Sequence, residues 1–399
     1  MSSTPTVIRQ ESQSIAQTYG RIPLVLERGR GTRVWDADGK SYLDFIGGIA
    51  TCPVGHANPA LVRAIARQAG RLINASNLFY TAPQVELARR LGRYTGGPAR
   101  VFFGNSGAEA NEAAIKFARR ATGRPGIVSA DHCFHGRTLG TLSATWKEAI
   151  QKPFRPLVPG FKKVPFGDAK ALAKAVTRKT AAFLIEPIQG ESGVHPVPKG
   201  YLRAAARICK AKGALLVCDE VQCGLGRTGR FFGYQEEGVR PDIVTMAKGL
   251  GGGVPIGAAI CTEAVAAKLV RGDHGSTFGG NSLSAAAALA VLDLLEGRKL
   301  MKHARAMGAR LMQGLRTIGL RTGLVTAVRG RGLMVGADIT VNALAVVKAG
   351  IRRGLIANRT SDKTLRFLPP LTVSAKEVDE ALDILEAALR EVSAQARGA

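Results

Sequence analysis

Apolar positions gather in short unbroken runs over the middle of the chain, at residues 100–103, 126–130, 181–185, 215–218, 242–247 and 257–261. Stretches with helical spacing and glycine-rich turns separate them. Strand-length runs alternating with helices predict a mostly parallel sheet covered on both faces. Upstream, residues 29–45 read as short strands around an Asp38-Gly39 hairpin signal. Residues 58–72, behind a proline start, and 83–94 carry apolar side chains on one helical face. From residue 283 the pattern turns to helices at 283–295 and 303–318. Strands at 327–337 and 364–368 then flank a helix near 342–353, and a closing helix spans 375–392. The expected architecture is α/β. A large domain (56–290) holds the central sheet. A smaller α+β domain (291–399) is joined by the N-terminal segment (1–55).

Two of the runs end in polar residues. Asp219 stands where the 215–218 run stops, and Lys248 stands just past the 242–247 run. Each has an ordinary reading, a helix cap for the acid and a solvated strand end for the lysine. At the carboxyl ends of neighbouring parallel strands, however, both point into one crevice. An amine that can hold an aldehyde covalently and an acid that can keep a pyridinium nitrogen protonated are what pyridoxal 5′-phosphate requires. Gly104 to Glu112 leads from a strand into a helix, whose first N–H groups and dipole suit a phosphate. Phe134 and Arg137 follow the strand at 126–130 and belong to the same crevice. The Gly224-x-Gly226-x-x-Gly229 pattern starts late after its strand and precedes no helix, so it is not a dinucleotide fingerprint. Gly39-Lys40-Ser41 lacks the upstream glycine of a P-loop.

Composition changes this picture little. A chain of 399 residues with 46% hydrophobic content suits two globular domains. No apolar stretch has the length of a membrane span, and the polar start of the chain lacks a signal core, so a cytoplasmic protein is expected. Six cysteines without a C-x-x-C pair suit buried reduced thiols. His132, Cys133 and His135 match no zinc spacing, so no metal is expected. The net charge of +26 raises nucleic-acid binding as a rival reading. The charge is spread along the chain, with one modest cluster at 298–331 that reads as a solvated helical face, and no nucleic-acid module is present. A positive field also favours dicarboxylates and phosphorylated ligands.

The motifs agree with one another. Asn105-Ser106-Gly107-Ala108-Glu109-Ala110-Asn111-Glu112, Phe134-His135-Gly136-Arg137-Thr138, Glu186-Pro187-Ile188-Gln189-Gly190-Glu191, Asp219-Glu220-Val221-Gln222, Lys248 and Ser276-Thr277-Phe278-Gly279-Gly280-Asn281 occur in this order. Over residues 19–392 the chain resembles class III, ornithine-type, pyridoxal-phosphate aminotransferases of fold type I. Asn77-Leu78-Phe79-Tyr80 and the 364–370 segment resemble the acetylornithine branch most.

The resemblance implies roles. Lys248 would bind the cofactor aldehyde and move the proton, and Asp219 would pair with the ring nitrogen. Gln222 would bond the phenolic oxygen, Phe134 would stack on the ring, and Ser106, Gly107 and Ala108 would cradle the phosphate. Thr277 would reach the phosphate of the other subunit, which implies a homodimer with shared sites, and Ser276 would contact substrate there. Arg137 would grip the carboxylate remote from the reacting amine. Arg366 would grip the α-carboxylate of glutamate or 2-oxoglutarate, with Glu191 neutralising it when an ω-amine is bound. Ser192, Cys223 and Ser282 depart from the commonest family pattern. Succinylornithine, ornithine, 4-aminobutyrate and lysine-pathway intermediates are rival substrates, because small acyl contacts separate them weakly. A mutase, decarboxylase or racemase would have no use for the Arg366–Glu191 pair.

Overall fold

A computed structural model describes residues 4–397. Its centre is a seven-stranded sheet. In chain order the strands are β1 (Ala99–Gly104), β2 (Gly126–Ala130), β3 (Phe161–Val164), β4 (Thr180–Ile185), β5 (Leu215–Asp219), β6 (Ile243–Met246) and β7 (Gly257–Thr262). Their spatial order is β1-β7-β6-β5-β4-β2-β3. Strand β7 runs antiparallel to both its neighbours, and the remaining pairings are parallel. The carboxyl ends of β1, β2, β4, β5 and β6 therefore meet along one edge. That edge is where an open α/β sheet offers a crevice.

The inner strands hold because both faces are covered. β4 is buried at every position, and each large apolar side chain taken from water contributes roughly 1.5–3 kcal/mol. The Gly107–Thr122 helix covers one face with alanines, Ile115 and Phe117. The Tyr201–Lys212 helix, not expected from the sequence, turns Tyr201, Leu202, Ala205 and Cys209 inward. β3 was also unforeseen, since it is a half-exposed edge strand carrying two lysines.

The two chain ends meet in smaller sheets. Leu26–Arg30, Arg33–Asp36 and Ser41–Asp44 form an antiparallel meander, and Leu355–Ile356 adds to it in parallel. Val325–Arg331 and Met334–Ile339 form a hairpin within what reads in the sequence as one 327–337 strand, with Gly332 and Leu333 at its turn. Thr364–Phe367 pairs with its second strand. The polar N-terminus contains a helix, Thr4–Ser14, that buries no residue. The basic 298–331 cluster lies largely on the Leu300–Thr322 helix as a solvated face, on which the half-exposed Arg310 and Arg321 pair with Asp379 and Glu386 of the closing helix, Ala375–Arg397.

Candidate active site

At the carboxyl edge of the sheet a cavity of about 250 Å³ opens, and both Asp219 and Lys248 line it. Asp219 is the last residue of β5 and is 3% exposed. Its Oδ2 accepts from Asn111 Nδ2 at 2.7 Å and from His135 Nδ1 at 2.8 Å, and its Oδ1 accepts from the Val221 N–H at 3.0 Å. Asn111 in turn donates to the His135 carbonyl and accepts from Thr245 Oγ1 on β6 at 2.7 Å. Strand, helix and loop thus fix one buried carboxylate. Each hydrogen bond to such a charge contributes about 1.5–3 kcal/mol.

Lys248 lies two residues beyond β6 at φ 40°, in the left-handed region. A non-glycine residue held there costs on the order of 1–3 kcal/mol, a strain often found at functional sites. Burial lowers the pKa of its amine. The Glu191 charge works against this, Arg366 adds to it, and Asp219 and Glu186 oppose it more weakly. Glu186 follows β4, and its carboxylate accepts from the Phe134 N–H at 2.8 Å and the Gly190 N–H at 3.2 Å. Burial pushes Glu186 up to about 7. His135 pulls it down, and the Asp219 charge adds to the rise.

The turn after β1 enters the Gly107–Thr122 helix through Ser106, whose side chain accepts from the Glu109 N–H at 3.1 Å. Gly107 and Ala108 line the cavity, and the first N–H groups of a helix have no intrahelical acceptor. Glycine is needed at 107 because a Cβ there would lie 2.7 Å from Val221 Cγ1.

Arg366, which is 2% exposed, does not line the cavity itself and is held behind two residues that do, Glu191 and Gln222. Its Nη1 donates to Glu191 Oε1 at 2.7 Å, Gln222 Oε1 at 3.0 Å and the Gly190 carbonyl at 3.1 Å. Gln222 donates from Nε2 to the same Glu191 oxygen at 2.8 Å. Burial would raise the Glu191 pKa, but the Arg366 and Lys248 charges outweigh it and hold the carboxyl at about 2. Arg137 is exposed at the mouth, its guanidinium 5.6 Å from the Phe134 ring centroid.

Ser276 and Thr277 do not line this cavity. Ser276 Oγ accepts from Asn105 Nδ2 at 3.3 Å and the Gly279 N–H at 3.0 Å, and Thr277 is exposed. Cys223 is buried against Glu220, with Sγ 3.1 Å from Oε2. Sequence reasoning assigned no role to Asn111, His135, Glu186 or Thr245. A signal existed for Asn111, a lone amide on the alanine-rich buried face of its helix.

The donor set suits pyridoxal phosphate. It offers a fixed carboxylate for the ring nitrogen, an amine for the aldehyde and a helix start for the phosphate, with Phe134 and Val221 as apolar walls. Arg366 Nε is buried with no hydrogen-bond partner among the described residues.

The family model of class-III aminotransferases matches residues 14–389. An acetylornithine aminotransferase of Methanocaldococcus jannaschii is 49% identical over 94% of this chain and 96% of its own. A structure of the ornithine aminotransferase from Toxoplasma gondii, described with partial occupancy of PLP at its active site, superposes with TM-score 0.95. It is 32% identical and covers 98% of this chain and 95% of its own. The acetylornithine aminotransferase from Elizabethkingia anophelis superposes with TM-score 0.87 at 31% identity, covering 98% of this chain and all of its own (100%).

Proposed function

The chain belongs to the class-III aminotransferases, which are pyridoxal-phosphate-dependent enzymes, and from that premise we propose that it transfers an amino group reversibly between N2-acetylornithine and 2-oxoglutarate. The products are N-acetylglutamate 5-semialdehyde and glutamate. The observation that carries this reading is the Arg366–Glu191 pair at 2.7 Å on one wall, with the exposed cation Arg137 at the mouth. Relatives named for acetylornithine support the choice of substrate.

Bound pyridoxal phosphate supplies an electron sink for the carbon whose nitrogen is transferred. The residues of the chain do the rest. Lys248 Nζ takes the proton from that carbon and later returns one. Burial lowers its pKa below the ordinary lysine value, which favours the free base that this step needs. Asp219, immobilised by Asn111 and His135, presents a carboxylate whose position does not change between the two half-reactions. The Ser106–Gly107–Ala108 turn binds the phosphate, Phe134 covers the ring, and Gln222 serves the phenolic oxygen.

Arg137 holds the carboxylate at the far end of the ω-amine substrate, where a planar two-pronged donor matches two oxygens. With such a substrate Arg366 has no carboxylate to meet, and Glu191 neutralises it. When glutamate or 2-oxoglutarate enters, its α-carboxylate displaces Glu191, which frees Gln222 Nε2 while Gln222 Oε1 still accepts from Arg366.

The assembly is a homodimer. Leu78, Phe79, Tyr80 and Phe278 are large exposed apolar side chains, gathered where Asn77 Nδ2 holds the Ser276 carbonyl. A contiguous apolar patch of this kind marks a protein contact. Across it Thr277 and Ser276 serve the partner's site. The protein works in the cytoplasm; among the described residues no helix is long and apolar enough to cross a membrane.

A substrate panel tests the assignment. N2-acetylornithine is expected to exceed ornithine and 4-aminobutyrate in kcat/KM. If 4-aminobutyrate leads, the substrate assignment is wrong.

A further inference from the structure

One outer layer of the central sheet carries charge of a single sign. Residues 169–180 and 197–213 hold nine lysines and arginines and no aspartate or glutamate. They form the Ala169–Ala175 helix, the Tyr201–Lys212 helix and the residues flanking each. The two helices pack against each other. Their starts touch, since a Cβ on Gly167 would lie 2.7 Å from Pro198 Cγ. Their far ends are tied by Arg124, whose Nη1 donates to the Thr180 carbonyl at 3.3 Å and to the Lys212 and Gly213 carbonyls at 2.8 Å. That guanidinium adds a further cation between the two ends.

The buried sides of the helices are apolar, with Leu172 on the first and Tyr201, Leu202, Ala205 and Cys209 on the second. Lys170 and Lys174 therefore face water one turn apart, and so do Arg203, Arg207 and Lys210 on the neighbouring helix. Among the described residues only Arg203 of the nine has a carboxylate at ion-pair distance, the buried Glu237 at 3.8 Å. Asp168, the acid next to the first helix, is engaged as its cap and accepts from the Lys170 and Ala171 N–H groups.

Stability does not account for this pattern. Lys210 and Lys212 end their helix, where the dipole favours cations. Lys170 lies in the first turn of its helix and Lys199 just ahead of the other, where the dipole opposes them. On the basic Leu300–Thr322 helix, by contrast, Arg310 and Arg321 have acids of the closing helix as partners. Unopposed like charges on one face raise the local potential. A polyanion that meets them sheds its own condensed counter-ions, which drives association.

What the face lacks narrows the partner. Neither segment exposes a large apolar side chain among the described residues, so nothing there enters lipid. Their one aromatic ring, Tyr201, is 4% exposed, so no unpaired base stacks on it. The Tyr201–Lys212 helix has 12 residues and is about 18 Å long, the length of roughly five base pairs of duplex.

We propose that this face binds the phosphate backbone of double-stranded nucleic acid without reading its sequence. The two rows of cations on the neighbouring helices are the phosphate contacts. None of the nine lines the cavity of the proposed active site. Nucleic-acid binding is then an added property of an enzyme, not an alternative to one, and it gives the formal charge of +26 a use.

The test is the fluorescence anisotropy of a labelled duplex of ~30 base pairs and mixed sequence, titrated with holoenzyme. The expected slope of log affinity against log salt is about −4 to −6. Two quadruple charge reversals separate this face from the net charge. Lys170→Glu/Lys174→Glu/Arg207→Glu/Lys210→Glu loses at least about 30-fold in affinity at 0.1 M salt, with transamination unchanged. Arg298→Glu/Lys299→Glu/Lys302→Glu/Arg316→Glu makes the same change of charge on another exposed surface and loses less than about threefold. Glutamine in place of glutamate at the first four positions is a milder set that guards against misfolding, and it flattens the slope by about 3. Equal losses from the two reversals, or no salt-dependent binding of the duplex, overturn the proposal. So does single-stranded DNA of the same length that binds as tightly as the duplex. Phosphatidylserine vesicles that displace the duplex at equal phosphate concentration overturn it too, because the partner is then a membrane.

Discussion

Asp219 and Glu191 are carboxylates on the wall of one cavity, held in opposite ways. Asp219 ends a central strand, is 3% exposed and accepts from a helix amide, a histidine and a backbone N–H. Glu191 follows the two-residue strand Ile188–Gln189, and 35% of its side chain is exposed. Its hydrogen-bond partners among the described residues, Arg366 and Gln222, are both side chains. A carboxylate that must do one task in both half-reactions is best made immobile. One that must leave when a second substrate arrives needs an open side and exchangeable partners. Solvent on that open side screens the ion pair and lowers the cost of breaking it. Gln222 couples the two regions, since it lines the cavity yet is hydrogen-bonded to Glu191 and Arg366, the proposed gate.

Substitutions on the two walls are expected to behave differently. Lys248→Ala removes the group that both half-reactions share, so turnover falls by at least about 10³-fold in each. The visible absorbance of the cofactor–lysine adduct is lost as well. A borohydride-reducible adduct that survives in this variant would overturn the assignment of Lys248. Asp219→Ala follows with a loss on the order of 10²- to 10³-fold, again shared by both halves. Arg366→Ala separates them. Loss of a buried charged contact to the α-carboxylate lowers kcat/KM for 2-oxoglutarate by roughly 10²-fold. The ω-amine half-reaction, which does not use that contact, changes far less. Single-turnover measurements of each half would check this, and equal losses would remove the basis for a gate.

How much of this was legible in the sequence follows from what each part depends on. β5 and β6 could be read because buried parallel strands need unbroken apolar runs, and Asp219 and Lys248 stand out against them. β3 could not, since an edge strand tolerates Lys162 and Lys163. Leu355–Ile356 and Asn358–Arg359 are two residues each, below any periodicity, although one joins the N-terminal sheet and the other the C-terminal sheet. In the cavity, the charged residues announced themselves. The support around Asp219 did not, because Asn111 lies 108 residues away in sequence and His135 lies 84 away. Only the folded sheet brings them together.

The smallest expected effect separates the two regions by pH. Glu186, beside Asp219, is raised to about 7, first by burial. Its unfolded value lies near the ordinary 4.5, so between about 4.5 and 7 the folded state binds more protons than the unfolded one. Its contribution to stability is therefore present at low pH and is lost as pH rises through that window. Glu191 has the opposite sign. Held at about 2 by Arg366 and Lys248 against the effect of burial, it contributes above 4.5 and loses that contribution as pH falls toward 2. The difference in Tm between the cofactor-stripped wild type and Glu186→Gln should change between pH 5 and 8, by on the order of a few degrees. The same difference for Glu191→Gln should stay flat over that range and move only below pH 4.5. A Glu191→Gln difference that changes between pH 5 and 8 would mean that protons work the gate. A flat one leaves the incoming α-carboxylate as the group that displaces Glu191.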